Sequence, residues 1–176
     1  MPPPPPLSPA GQPLADFGTR LLAYLIDGAI VSAVAMVVFV PVLLIFFFTQ
    51  IPDISATDPN YPPPDIFGDF VGPLLLIELG LVLLMLVGYY VYYVEMMYRS
   101  GQTVGKKVMK VRVVPIDPHG TLTRTMAAKR YVVEFIGGIV IPFFSYLDGL
   151  WQLWDKPYQQ TLHDKYAQTV VVKVSA

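Results

Sequence analysis

From Gly28 to Phe48 the chain runs without a single charge, and the stretch leading into it, Arg20-Leu-Leu-Ala-Tyr-Leu-Ile-Asp27, sets one arginine and one aspartate seven positions apart. A bilayer is crossed by about 20 consecutive apolar helical residues, so residues 20–48 read as a membrane-spanning helix. It is longer than a bilayer needs, and Pro41 interrupts it. Seven residues make almost two helical turns, which puts Arg20 and Asp27 on nearly one face, ~10 Å apart. That is too far for direct pairing, so each needs another partner. A carboxylate at the centre of a spanning helix costs about 2.5–3.5 kcal/mol. Asp27 is therefore expected to face the protein interior, with Tyr24, a polar group of another helix, water or a cation as its partner. Two readings follow: an ion or proton site, or a structural charge that positions helices.

Only 14% of the 176 residues are charged and 54% are hydrophobic, against ~25% charged in soluble domains. The composition predicts an integral membrane protein with no space for a soluble catalytic domain. The net charge of −1 gives no field for nucleic acid, and the lack of cysteine excludes thiol chemistry and Cys-ligated metal. Residues 1–16 are rich in proline and carry no Lys or Arg, which reads as a disordered cytoplasmic tail and not as a signal peptide.

A second span is expected over 72–94 and a third apolar segment over 131–154. The loop between the first two spans (50–70) holds Asp53, Asp58, Asp65 and Asp69 and no basic residue. The connection over 99–130 holds Arg99, Lys106, Lys107, Lys110, Arg112, Arg124, Lys129 and Arg130. By the positive-inside rule that connection and the amino terminus are cytoplasmic and the acidic loop is external. Gly137-Gly138 and Pro142 break the third segment, and Glu134 and Asp148 lie near its ends. It is either a third span or a re-entrant helical hairpin, which is tolerated where its backbone is buried in protein or lines a cavity. The hairpin would keep both acids at the cytoplasmic level, within reach of Arg20. Residues 107–114 and 168–174 alternate or are β-branched in the manner of short strands. Neither can remain unpaired, so they are expected to pair with each other on one side of the membrane. The fold expected is thus an all-α membrane protein with two full spans, a third span or hairpin, and a small cytoplasmic two-stranded β element.

The helix start Arg20…Asp27, the segment 101–114 (Gly-Gln-Thr-Val-Gly-Lys-Lys-Val-Met-Lys-Val-Arg-Val-Val) and the ending Thr161-Leu-His-Asp-Lys-Tyr-Ala-Gln-Thr-Val-Val172 together resemble the RDD family of membrane proteins. The resemblance covers about 17–174, and the proline-rich leader is similar to those of actinobacterial members. It implies that the family's arginine and two aspartates are Arg20, Asp27 and Asp164, in a multi-pass protein of the bacterial inner membrane. Cation/proton exchange is suggested for some members and accessory roles for others. This chain departs at Gln168, where the family pattern has glycine, so its turn into the last strand is expected to differ.

Arg20 and Asp164 suit a bidentate pair. Together with Asp27, Glu134 and Asp148 they form the expected charged network, while Asp27 and Glu78 are the candidate ion or proton stations. Lys106, Lys107, Lys110 and Arg112 suit anionic lipid headgroups, at ~1 kcal/mol each. The five tyrosines at 89, 90, 92, 93 and 98 read as interfacial anchors. Gly101 to Lys107 lacks the phosphate-loop spacing, and His163 beside Asp164 is too sparse for a metal site. No cofactor and no enzymatic reaction are expected. What remains is a cation- or proton-coupled transporter, which with so few spans needs a homo-oligomer, or a non-catalytic accessory or scaffold subunit of a membrane complex.

Overall fold

A computed structural model describes residues 6–55 and 65–174, with side chains left aside over 51–55. Asp58 and the prolines at 59 and 62–64 of the acidic loop, and those at 2–5 of the tail, lie outside what is described, as does the side chain of Asp53. The first helix, α1 (Phe17–Ser55), runs through Pro41, and the second, α2 (Ile66–Ser100), includes one π turn at each of Ile66–Val71 and Val91–Glu95. Both extend beyond the spans read from the sequence. Each is long and apolar enough to cross a membrane, and only 6% of either apolar window is buried. That sparse burial separates them from the core helices of a soluble protein, whose apolar faces are covered.

The chain divides into two compact units, 1–29 with 89–176, and 30–88. The smaller unit holds α1 from Ile30 onward and α2 as far as Gly88. Val37, Phe48, Leu76 and Val87 stand exposed, while Phe46 is buried with its ring 5.3 Å from that of Phe70. Glu78 is exposed on this part of α2.

The larger unit carries the rest of the structure. After α2 come α3 (Val104–Val108) and β1 (Val111–Pro115). A helix follows as Arg124–Tyr131, a π turn Val132–Ile136 and Gly137–Val140, together α4. Then come α5 (Phe144–Trp151), α6 (Leu162–Ala167) and β2 (Thr169–Lys173). β1 and β2 pair antiparallel, with Val113 opposite Val171 and Pro115 opposite Thr169. The alternating stretch expected to be strand from 107 is still helical at Lys107-Val108. The contacts of Thr103 and Gly105 described below fix α3 there, and tertiary bonds override the strand pattern.

The expectation of a disordered tail over 1–16 is corrected from residue 6 onward. Residues 13–15 run along the other edge of β2: the Lys173 N–H donates to Pro13 O at 2.8 Å, and the Ala15 N–H to Val171 O at 2.9 Å. Leu14 is buried with Val170 and Val172, and Val114, Ile116 and Tyr158 pack on them. An exposed strand edge is a pairing hazard, and the amino-terminal segment covers it. Asp16 then accepts the Thr19 N–H at 2.9 Å, which satisfies one of the free donors of the first turn of α1.

The third apolar segment is not one helix. The chain reverses between α4 and α5, at the extended Ile141, Pro142 and the left-handed Phe143. A side chain at Gly137 would strike the Phe144 ring at 2.8 Å, so the two arms approach as closely as glycine allows. The result is a helical hairpin that returns Asp148 to α6, where its carboxylate accepts the His163 N–H at 2.8 Å.

Candidate functional site

The polar residues read from the sequence meet in the larger unit, in neighbouring knots. The first is built on Asp27, which is 1% exposed. Its Oδ1 accepts from the Tyr92 hydroxyl at 2.6 Å and the Gly105 N–H at 2.7 Å, and its Oδ2 accepts from the Thr103 hydroxyl at 2.5 Å. Lys106 Nζ stands 3.9 Å from Oδ2. Thr103 is the residue at the start of α3, and its hydroxyl is turned to Asp27 and not to its own helix. A carboxylate on α1 thus takes over the capping of α3, whose first-turn donors would otherwise be unmet. A Cβ at Gly105 would lie 2.2 Å from Ala23 O and 2.8 Å from Asp27 Cγ. Only glycine admits this approach of α3 to α1. Tyr24, expected as a partner of Asp27, is largely exposed, and the tyrosine that reaches it comes from α2.

The second knot is built on Asp164, which is 0% exposed. Arg130 Nη1 pairs with Oδ1, and Arg20 Nη1 lies 3.4 Å from Oδ2. The Thr169 hydroxyl is 3.3 Å from Oδ1, and the Thr161 N–H donates to Oδ2 at 3.3 Å. Thr161 returns the bond, its hydroxyl accepting the Asp164 N–H at 3.2 Å, so Asp164 also closes the capping box of α6. Burial alone would raise its pKa, but Arg130, the neighbouring His163 and Arg20 outweigh that and hold the carboxyl well below the usual range. Arg20 is shared further: Nε donates to Ala15 O at 3.0 Å, Nη1 to Gln159 O at 2.8 Å and Nη2 to Val171 O at 3.2 Å. One guanidinium thereby ties the start of α1 to the segment before α6 and to β2. Fixed, planar, multiple donation of this kind is what arginine does and lysine cannot.

Asp148 forms a third, smaller group. Its Oδ2 is 2.6 Å from His163 Nδ1, and His163 Nε2 stands 4.0 Å from Asp164 Oδ1, which joins this pair to the Asp164 knot. Glu134 is half-buried and accepts no hydrogen bond or ion pair among the described residues. Glu78 lies in the other unit. The single charged network expected from the sequence is therefore divided, with Asp27 held apart from Arg20 and Glu134 left open.

Lys106 requires a correction. Read as a lipid-facing charge, its side chain is only 16% exposed and points inward. Burial pushes its pKa down, against the opposing field of Glu134. Lys107, Lys110 and Arg112 are exposed. Gln168 sits left-handed, at φ 53° and ψ 50°, in the turn between α6 and β2, so this chain makes with glutamine the bend that suits glycine.

Sequence reasoning found Arg20, Asp27 and Asp164 and missed the residues that hold them: Tyr92, Thr103, Gly105, Arg130 and Thr169. Thr103 and Gly105 stand inside a segment singled out for its pattern, and Thr161-Leu-His-Asp164 has the spacing of a capping box. No group of three or more His, Cys, Asp or Glu suited to a metal occurs among the described residues. Comparison with known sequences adds one finding: the family model described as RDD family matches residues 14–168. No curated protein and no solved structure matches the chain.

Proposed function

The chain belongs to the RDD family and, with two unburied apolar helices, is a membrane protein; from that premise we propose that it is a multi-pass protein of the bacterial cell membrane, serving as a non-catalytic accessory or scaffold subunit in which the family's arginine and aspartates are fastenings and not ion carriers. The saturation of Asp27 carries this reading. A proton or cation carrier must exchange its ligands with water, whereas this carboxylate has three donors from α2, the turn after it and α3, and is closed from solvent. Asp164 is equally engaged. Donors that fill a carboxylate's acceptor sites leave little room for a transported ion.

The orientation proposed is cytoplasmic for the amino terminus, the 99–130 connection and the carboxy terminus. Residues 13–15, β1 and β2 belong to one hydrogen-bonded ladder, which supports a common side. The reversal at 141–143 supports a re-entrant hairpin, since it returns the chain without a third crossing. Lys107, Lys110 and Arg112 would then meet anionic headgroups, and the exposed faces of α1 and α2 would meet lipid or the spanning helices of a partner in a membrane complex.

Asp27→Asn, made beside wild type in proteoliposomes under sodium, potassium and lithium gradients, tests the reading. The expected result is no cation-driven proton flux from wild type, and a marked loss of folded, monodisperse protein in the variant, since removing one member of a buried charged pair or knot costs about 3–5 kcal/mol. Flux from wild type that a well-folded Asp27→Asn protein lacks would make Asp27 a coupling site and overturn the fastening reading. It would also bring back the homo-oligomer that such a pathway requires.

A further inference from the structure

Beside the knots, between the first turns of α1, the α4–α5 hairpin and α6, lies a cavity of about 570 Å³. Leu21, Tyr24, Leu25, Tyr146 and Leu150 are among the residues that line it, all of them exposed. The lining also carries charges, and most of them are already engaged in the knots. Two keep bonding capacity. Lys106 Nζ is ion-paired with Asp27 at 3.9 Å but is beyond hydrogen-bond range of it, so its N–H donors are not used there. Glu134 lines the same cavity and accepts no bond among the described residues, and no ion pair joins it to Lys106. The cavity therefore offers one ammonium with N–H donors to spare and one carboxylate that accepts no hydrogen bond among the described residues, beside apolar lining residues.

A purely anionic ligand would satisfy Lys106 and be repelled by Glu134; a purely cationic one would face Lys106 and Arg130. A ligand bearing both charges satisfies both groups. The size falls within the ~300–1,000 Å³ of small-molecule sites. It accepts a polar headgroup but not two whole acyl chains, and the exposed leucines provide an apolar exit. We propose that this cavity binds a zwitterionic membrane lipid with a primary-amine headgroup, an ethanolamine phospholipid, its phosphate on Lys106, its ammonium on Glu134 and its acyl chains leaving over Leu21, Leu25 and Leu150. The inference rests on the membrane placement proposed above and is independent of whether Asp27 carries ions. Burial of Lys106 is consistent with it, since an anionic group beside the ammonium offsets the desolvation that disfavours its charge.

The test uses the purified full chain in detergent micelles, with lipid retention read by native mass spectrometry. The probes are dioleoyl phosphatidylethanolamine, dioleoyl phosphatidylglycerol and dioleoyl phosphatidylcholine, with water-soluble glycerophosphoethanolamine beside them. Wild type is expected to retain the ethanolamine lipid about tenfold over the glycerol lipid, with the choline lipid between them because its ammonium has no N–H to donate. Glu134→Gln removes no internal bond and should fold; it is expected to erase the preference for the ethanolamine lipid. Leu150→Trp should lower retention of all three lipids by filling the exit. Equal retention of the three lipids by wild type, or a preference unchanged in Glu134→Gln, would overturn the proposal. Binding of glycerophosphoethanolamine as tight as that of the whole lipid would overturn the lipid as occupant. Selectivity from a protein that also shows Asp27-dependent flux would overturn the fastening reading alone.

Discussion

Gly105 carries the tightest constraint at the scale of single residues. Its N–H must reach Asp27 Oδ1 at 2.7 Å while its Cα passes the backbone of α1. An added methyl would press on Ala23 O, a backbone atom with little freedom to yield, and on a carboxylate pinned by three donors. Overpacking of this kind costs about 1–3 kcal/mol, and loss of the Gly105–Asp27 bond would add to it. Gly105→Ala is therefore expected to lower the folded yield and the melting temperature in detergent. Gly28→Ala, where the added methyl has nothing within 4 Å, should be neutral or slightly stabilising. Equal melting temperatures for the two would remove the close approach from the account. The sequence showed that Arg20 and Asp27 could not satisfy each other, and the structure bears this out in detail. It could not show the partners. Thr103 and Gly105 are 76 and 78 positions from Asp27, and Asp164 is 144 from Arg20. A threonine hydroxyl or a backbone N–H leaves no spacing signature at such separations. Nor is Arg20–Asp164 a simple pair. Arg20 also serves three carbonyls and Asp164 also serves Arg130, so a charge exchange between the two would leave an aspartate facing the carbonyls of Ala15, Gln159 and Val171.

At the scale of elements, Asp164 is where α1, α4, α6 and β2 converge, through Arg20, Arg130, Thr161 and Thr169. Its carboxyl is held below the ordinary range in the folded protein, so the folded state favours the ionised form. The stability this contributes is present in full above the unfolded value of ~3.9 and is lost progressively as pH falls below it toward the lower folded value. The melting temperature is accordingly expected to show no loss from Asp164 between pH 7 and 5, and to fall steeply below about pH 4. Circular dichroism across that range reads it, and a collapse already complete at pH 5 would contradict an ionised, arginine-clamped carboxylate. The pairing of β1 with β2 was legible because two short β-branched stretches had no other partner. The start of β1 was not, because residues 107–108 obey the contacts of α3 in preference to their alternation. Residues 13–15 gave no strand pattern at all amid the prolines. They are ordered by an edge of β2 that only the folded sheet presents.

At the scale of the whole molecule, the question is how many times the chain crosses, and one ladder bears on it. Residues 13–15 precede α1, β1 follows α2 and β2 follows the α4–α5 hairpin, yet all three are hydrogen-bonded side by side. Strands in one ladder occupy one side of a bilayer, because backbone polar groups cannot be left unpaired in lipid. On the proposed topology two crossings, by α1 and α2, would return the chain to that side, and a third full crossing would carry β2 away from its partners. Composition alone could not choose, since an apolar segment broken by Gly137-Gly138 and Pro142 satisfies either solution, and the proposed hairpin draws its support from long-range pairing. The lack of cysteine makes the choice measurable without a prepared background. Phe67→Cys, Thr121→Cys and Lys156→Cys place single thiols at exposed positions in the first turn of α2, after β1 and after the hairpin. In intact cells a membrane-impermeant maleimide is expected to label Phe67→Cys alone, with Thr121→Cys and Lys156→Cys labelled together only after permeabilisation. Labelling of Lys156→Cys from outside while Thr121→Cys stays protected would require a third crossing. β1 and β2 could not then share a ladder in the membrane, and the fastening role of Arg20 and Asp164, which reaches β2 through Val171 and Thr169, would fail with it.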